Sequence, residues 1–317
     1  MACTAAILRP VVRLPAASPR YSRGVADATD TPLLSVVIPA RNGASTLAVQ
    51  LDALAASEPP GVSFEVVVAD NGSTDDTAEV ARAYADRLPI RVIDAGRSPG
   101  INVARNDGVA AALGQWILLC DADDEADRDW LRTMCSGFVE GHNLLGGVID
   151  YSRLNSPEVQ AWRGATKARV VAHLGYLPFA HGANLGFSRH VFDTIGGFDE
   201  RFVGGGDDVD FCWRGQLAGF TLHEVPASVM HYRLRPTLGD LWRQYVKYGS
   251  SEAQLFQTFR HSGMNRRPWR QVVQGLWWLI SRFPFAAPRP RRGAWVRRAG
   301  LWWGRLRGSV QHRTLWL

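Results

Sequence analysis

From Leu33 to about Ile149 the chain alternates short apolar runs with amphipathic stretches, and each apolar run stops at polar punctuation. Residues 34–38 (Leu-Ser-Val-Val-Ile) read as a buried strand closed by Pro39, and Asn42 to about Ala56 as a helix capped by Asn42 or Ser45. Phe64 to Ala69 reads as a second strand and Asp70-Asn71-Gly72-Ser73 as its turn. Thr74 then opens a helix with Asp75 and Asp76 in its first turn, where the helix dipole favours acids. A third strand covers Ile90 to Ile93, a helix runs from about Ser98 to Leu113, and Trp116 to Cys120 is a fourth strand. Strands of this length alternating with helices predict an α/β fold with an open, mixed but mostly parallel sheet flanked by helices. Such sheets bind ligands at the carboxyl ends of their strands. The turns Pro39-Ala40-Arg41-Asn42, Asp70-Asn71-Gly72-Ser73 and Asp121-Ala122-Asp123-Asp124 therefore mark one site.

Past residue 150 the pattern is less regular. A helix is expected around Pro157–His173, then glycine-rich loops; Gly204-Gly205-Gly206 leads into a helix from Asp207 to Leu217. A short strand is expected from Thr221 to Val225, its segment ending near His231, and from Leu238 onward the chain reads as helical but interrupted by Gly and Pro.

Asp121 and Asp123 stand one residue apart after a buried strand, where two carboxylates repel unless a hard divalent cation with oxygen ligands joins them. Mg²⁺ or Mn²⁺ held there would neutralise charge on a departing diphosphate. Acids after a strand also cap helices, a role open to Asp124 and Glu125. Asp70 can accept a hydrogen bond from a nucleobase ring N–H, with Asn71 and Gly72 letting backbone approach; alone, the segment is an ordinary capped turn. Arg105, on a helix, can point at a diphosphate or be a surface arginine. Asp208, at a helix N-terminus behind a glycine-rich loop, is expected to stay ionised through the dipole and so to suit a general base.

Taken in order, these segments resemble the GT-A fold glycosyltransferases of family 2. The resemblance runs over roughly residues 33–232: SVVIPARN at 35–42, VVVADNGSTDDT at 66–77, GINVARNDG at 100–108, WILLCDADD at 116–124, HGANLGFSR at 181–189, GGFDERF at 196–202, GGGDDVDFCWR at 204–214, and Val229-Met230-His231. It implies an inverting transferase that uses a nucleoside-diphosphate sugar (UDP, GDP or dTDP) with Mg²⁺ or Mn²⁺. By position it implies that Pro39 and Arg41 flank the base and Asp70 binds it, with Asn71 beside it, while Arg105 approaches the diphosphate. Asp121 would contact ribose and metal, Asp123 would be the main metal ligand, and Asp208 the base, with Asp207 standing where Glu is more usual. His231 falls where some members carry a histidine near the metal, though a strand-ending histidine reads equally as packing. Processive members carry QxxRW and membrane spans; here Gln244-Tyr245-Val246-Lys247-Tyr248 departs from that motif and no spans follow, so a non-processive transferase is expected. A nucleotidylyltransferase would need a GxGxR-like loop that IPARNGAS lacks, and no GxxxxGK[ST] loop is present. The alternative from another class is a non-catalytic sugar-nucleotide-binding or membrane scaffold protein.

Charge divides the chain. Net charge is +6, yet no Asp or Glu follows Glu252 while thirteen arginines do; removing these from 36 Lys+Arg leaves 23 against 30 acids, so residues 1–252 carry about −7. Trp269, Trp277, Trp278, Trp295, Trp302, Trp303 and Trp316 are interleaved with the arginines. The 260–317 tail is therefore expected to meet a membrane surface rather than nucleic acid, with some tryptophans packed inward, in a peripheral protein on the cytoplasmic face of the cell membrane whose acceptor is a glycan, lipid-linked or of the cell envelope. Cys3, Cys120, Cys135 and Cys212 lack metal-finger spacing and read as reduced, mostly core thiols. The expected division is a leader over residues 1–31, a GT-A domain over 32–235 (nucleotide half 32–124, acceptor half 125–235), and a basic, Arg/Trp-rich helical extension over 236–317.

Overall fold

The four apolar runs read as strands build one half of a nine-stranded sheet, from its edge towards its centre. The structure is a computed structural model describing residues 31–283 and 289–317; residues 1–30, with Cys3 and nearly all of the expected leader, lie outside them. In chain order the elements are β1 (Leu34–Ala40), α1 (Leu47–Ala55), β2 (Phe64–Asp70), α2 (Thr77–Arg82), β3 (Ile90–Asp94), α3 (Ile101–Ala111), β4 (Trp116–Leu119), β5 (Glu125–Ala126), α4 (Trp130–Val139) and β6 (Leu144–Asp150). There follow α5 (Pro157–Arg163), β7 (Lys167–Ala168), β8 (Val171–Ala172), β9 (Pro178–Phe179), β10 (Leu185–Ser188), α6 (Arg189–Ile195), α7 (Asp207–Leu217), β11 (Leu222–His231), α8 (Leu238–Phe259), α9 (Trp269–Ser281) and α10 (Arg289–Gln311).

Strand order is β3-β2-β1-β4-β10-β6-β11-β5, with β7 paired to β6 and with β8-β9 a separate small hairpin. Strands β1 to β4 run parallel, β10 is antiparallel between β4 and β6, and β11 is parallel to β6. The order reverses at β1, whose neighbours are β2 on one side and β4 on the other. That is the topological switch point at which open sheets accept ligands.

Period-two alternation decides which face each side chain joins. On β1, Leu34, Val36, Ile38 and Ala40 pack with Leu47, Leu51 and Leu54 of α1 and with Met134 and Phe138 of α4. Val37 points the other way, into a core with Val109 of α3, Phe211 and Trp213 of α7, Phe256 of α8 and Trp316. Both faces are covered, so β1 is buried along its whole length. Each fully buried large apolar side chain stabilises the fold by about 1.5–3 kcal/mol. Cys120, Cys135 and Cys212 are free and buried.

Several element boundaries differ from the sequence reading. The helix expected from Asn42 begins at Leu47, because Asn42 takes φ +52° and residues 42–45 form a loop instead. The helix expected from Thr74 begins at Thr77, since the Asp75 carboxylate is used on the backbone N–H groups of Ala44 and Thr77. The helix expected to reach His173 stops at Arg163, where Gly164 adopts φ +77° and ends it in the left-handed conformation. The strand expected over Thr221–Val225 extends through His231, with a register shift between Val225 and Val229 around Pro226, which has no ladder N–H to give. The boundary expected at residue 235 falls between β11 and α8, and Ala253, Leu255, Phe256, Phe259 and Trp316 from beyond it share the core of β4 and β10.

Candidate active site

Ala40 lies opposite Asp70 and Val37 opposite Leu119, so the turns after β1, β2 and β4 share one rim of the sheet. The first two turns are tied together. Asn42 Oδ1 accepts from the Thr74 N–H at 2.8 Å, and the Gly43 N–H donates to Thr77 Oγ1 at 2.8 Å. Asp70 Oδ1 accepts from the Ser73 N–H at 3.0 Å, fixing the carboxylate at the strand end. Of the residues expected to flank a base, Arg41 is exposed beside this turn and Pro39 is buried within β1.

Asn71 is a buried organiser of the adjacent loop. Its Nδ2 donates to the Ala95 and Ser98 carbonyls at 2.6 and 2.9 Å, and its Oδ1 accepts from the Gly100 N–H at 2.8 Å. That fixes the entry to α3. Asn102, Arg105 and Asn106 are spaced i, i+3, i+4 and so share one face of α3. Asn102 Nδ2 donates to the Asp199 and Phe202 carbonyls at 3.0 Å, and Asn106 exchanges hydrogen bonds of 2.9 Å with Phe198. The segment leading to Gly204-Gly205-Gly206 is thereby clamped to α3.

Arg105 lies between two groups of acids. Sequence reasoning aimed it at a diphosphate; the structure buries it, ion-paired with Asp207 and 3.6 Å from Asp121 Oδ1, with its guanidinium over the Phe198 ring. Beyond Asp207, the Asp208 carboxylate accepts from the Gly182 N–H at 3.0 Å and the Val209 N–H at 2.9 Å. Gly204, Gly205 and Gly206 have φ of +91°, +139° and +77°, which L side chains rarely adopt. A Cβ on Gly205 would lie 2.5 Å from Tyr248 of α8, so the loop presses directly on that helix.

On the other side of Arg105, ligand oxygens of Asp121, Asp123 and Asp124 lie within 4.8 Å of one another. Asp121 Oδ1 and Asp124 Oδ2 are buried without a hydrogen-bond partner. Burial, and then the Asp123 and Asp207 charges, push Asp121 up to about 6 despite Arg105. Burial, with Asp121 and Asp123 beside it, drives Asp124 well above the carboxylate range. Three converging hard oxygens with two orphaned acceptors fit a divalent cation such as Mg²⁺ or Mn²⁺. A second group, Glu140, His142 and His223, lies at the opposite ends of β6 and β11 and takes no part in this site.

Three sequence expectations change here. Asp208 was expected to remain ionised through the helix dipole; burial and the Asp207 charge instead raise it to about 7, against Arg105 and the two N–H donors. Asp124 is no helix cap: it is buried and accepts from the Arg233 N–H at 2.9 Å. His231 does not join the three carboxylates; its Nε2 faces Asp127 Oδ2 at 3.4 Å. Sequence reasoning also missed Arg233, whose Nε donates to the Asp123 carbonyl at 2.9 Å, and Arg235, whose Nη1 pairs with Asp123 Oδ2 at 3.1 Å. The available signal was two arginines in Tyr232-Arg233-Leu234-Arg235, directly after the strand that ends at His231.

The model of the family described as Glycosyl transferase family 2 matches residues 35–196, and that of Glycosyl transferase family group 2 matches residues 116–307. Glycosyltransferase AglE of Haloferax volcanii is 27% identical over 258 residues, spanning 80% of this chain and 82% of that protein. The pre-mycofactocin glycosyltransferase of Mycobacterium tuberculosis is 30% identical over 235 residues, 70% of this chain but 47% of that longer protein. Among solved structures, the mannosyltransferase PcManGT from Pyrobaculum calidifontis, in complex with GDP-Man and Mn²⁺, superposes with a TM-score of 0.60 at 18% identity over 88% of each chain.

Proposed function

The chain belongs to glycosyl transferase family 2 and is a glycosyltransferase, and on that premise we propose that it moves a sugar from a nucleoside-diphosphate sugar to an acceptor hydroxyl in one inverting step. The observation that carries the reading is the pair of acidic groups on either side of Arg105: Asp121, Asp123 and Asp124 on one, Asp207 and Asp208 on the other. One group suits the leaving diphosphate and the other the incoming hydroxyl. A scaffold would need neither.

In this reading Asp70 and Arg41 meet the base, and the β1–β4 crevice takes the diphosphate. Asp121, Asp123 and Asp124 would hold Mg²⁺ or Mn²⁺, which supplies positive charge to the diphosphate oxygens when bound. Arg235, now paired with Asp123, adds a cation at the same place. Asp208 takes the proton of the acceptor hydroxyl as that oxygen bonds to the anomeric carbon. The anomeric carbon–oxygen bond to phosphate breaks, and its electron pair leaves with the diphosphate. With a single base opposite the leaving group, the configuration inverts. Asp207 and Arg105 position Asp208 rather than react.

The acceptor is read as a glycan, lipid-linked or of the cell envelope, on the strength of the basic, tryptophan-rich C-terminal region. Calorimetric titration of UDP, GDP and dTDP, with and without Mn²⁺, on wild type and Asp123→Ala tests the donor half. Metal-dependent binding of one nucleotide, lost in the variant, is the expected result. Binding of none of them under any metal condition would overturn the reading.

A further inference from the structure

The sequence reading sends the arginine–tryptophan tail to a membrane with some of its tryptophans packed inward, and the structure separates its helices into packed and exposed. Helix α10 is packed: Ala299, Trp302, Arg305 and Ser309 are buried, with Arg305 Nε bound to the buried Glu252 carboxylate at 2.7 Å. Gly249 of α8 and Gly304 of α10 face each other, and a Cβ on either would meet backbone of the other helix within 3 Å. Helix α9 is different. Among the described helices longer than one turn it has no buried side chain.

One side of α9 is nevertheless anchored. Gly275 lies against the Trp302 indole, the Leu279 carbonyl accepts from Trp295 Nε1 at 3.0 Å, and Arg298 stands 3.9 Å over the Trp278 ring. The outward side carries Trp269, Val273, Leu276, Trp277 and Ile280, which are 69%, 54%, 44%, 67% and 71% exposed. Their spacing of 4, 3, 1 and 3 puts all five on a single apolar face. Exposed Arg266, Arg270 and Arg282 flank this helix along the chain, with Arg270 over the Trp269 ring, Arg282 over the Trp278 ring and Arg266 over the Phe256 ring. No Asp or Glu follows Glu252 in the sequence.

We propose that the outward face of α9 lies in the interface of an anionic phospholipid bilayer, with the flanking arginines on lipid phosphates. A large exposed apolar face marks an interaction surface. Tryptophans over aliphatics with cations at the flanks suit the headgroup boundary. Thirteen residues of helix span about 20 Å, short of the ~30 Å hydrocarbon core, so the helix lies on the membrane, and no described helix is long and apolar enough to cross one. A second copy of the chain is the poorer occupant, because pairing this face with itself sets arginines against arginines. The inference deepens the lipid-linked acceptor reading, on which its bearing on turnover rests.

The test is co-sedimentation of the full chain with vesicles of phosphatidylcholine alone and of phosphatidylcholine with phosphatidylglycerol. Wild type, Trp277→Gln/Ile280→Gln and Arg266→Gln/Arg270→Gln/Arg282→Gln are compared, with the nucleotide titration above run on each. Wild type should partition onto the anionic vesicles with a blue shift in tryptophan emission. Each variant should partition at least tenfold less while melting and binding nucleotide as wild type does. Equal partitioning of wild type and variants, or none by wild type, overturns the inference. So does a wild-type dimer in light scattering that Trp277→Gln/Ile280→Gln dissolves without changing partitioning. Any of these with nucleotide binding intact leaves the transferase reading standing, whereas loss of nucleotide binding in wild type strikes that reading alone.

Discussion

Burial and the neighbouring Asp207 charge raise Asp208 to about 7, so at neutral pH the group is divided between its acid and base forms. In the proposed role a base must be unprotonated to act, so kcat/KM should fall by up to about tenfold per unit of pH on the acid side of Asp208. A divalent cation bound nearby would draw its value of about 7 down. Asp208→Asn should lower transfer by about 10²–10⁴-fold with nucleotide affinity kept, as read by turnover and calorimetry. The stability signature has the opposite slope. Between the ordinary value of 3.8 and about 7 the native chain holds a proton that the unfolded chain has released, so raising pH through this window lowers stability. Melting temperature against pH should be flatter for Asp208→Asn. Arg105→Ala would strand Asp207 and Asp121 without their cation; breaking such a buried pair costs about 3–5 kcal/mol, measurable by urea denaturation. Asp121, Asp123 and Asp208 were legible because each follows a strand or opens a helix in a motif of fixed spacing. Asp124, Arg233 and Arg235 were not. Their roles arise from contacts across 109 to 112 residues of chain, which no local pattern announces.

At the scale of elements, β1 to β4 were legible to within two residues, since an apolar run buried on both faces leaves little choice of conformation, whereas β6 and β10 in the middle of the sheet were not read from the sequence. The starts of α1 and α2 were not legible either, because Asn42 and Asp75, good caps in isolation, are used instead to lace two loops together, while α5, α7 and α8 begin where the sequence placed them. The same competition between local and tertiary partners governs the Asp207-Asp208 loop. Its glycines fit against Lys247, Tyr248 and Ser251 of α8, so the helix behind the loop sets where the carboxylate stands. Gly205→Ala would add a Cβ 2.5 Å from the Tyr248 ring at a φ of +139°. Displacing a reacting group by about 1 Å costs on the order of 10²-fold, so kcat should drop by about tenfold or more with little change in metal-dependent nucleotide affinity. Steady-state kinetics beside calorimetry would show this split. The departure of Gln244–Tyr248 from QxxRW was visible in sequence; that Tyr248 braces the loop, its hydroxyl accepting from Gln244 Nε2 at 3.1 Å, was not.

Across the whole molecule, α8 and the segment from α10 to Trp316 are as much a part of the core as the strands, while α9 stays outside it. A chain ending at Pro236 would expose the face that covers Phe211 and Trp213 and free the glycine loop from its brace. It should be insoluble or inactive, and solubility together with nucleotide titration would decide which. The charge division described at the outset also acts at long range. Among the described residues, 31–252 hold 19 Lys+Arg against 28 acids and are followed by a stretch with thirteen arginines and no acids, so on the α9 docking proposed above the molecule acts as an electric dipole. Near an anionic surface such a dipole feels a torque before anything touches, so encounters begin already turned, basic end first. Ionic strength would then govern how often the molecule arrives in a usable pose, separately from how firmly it stays.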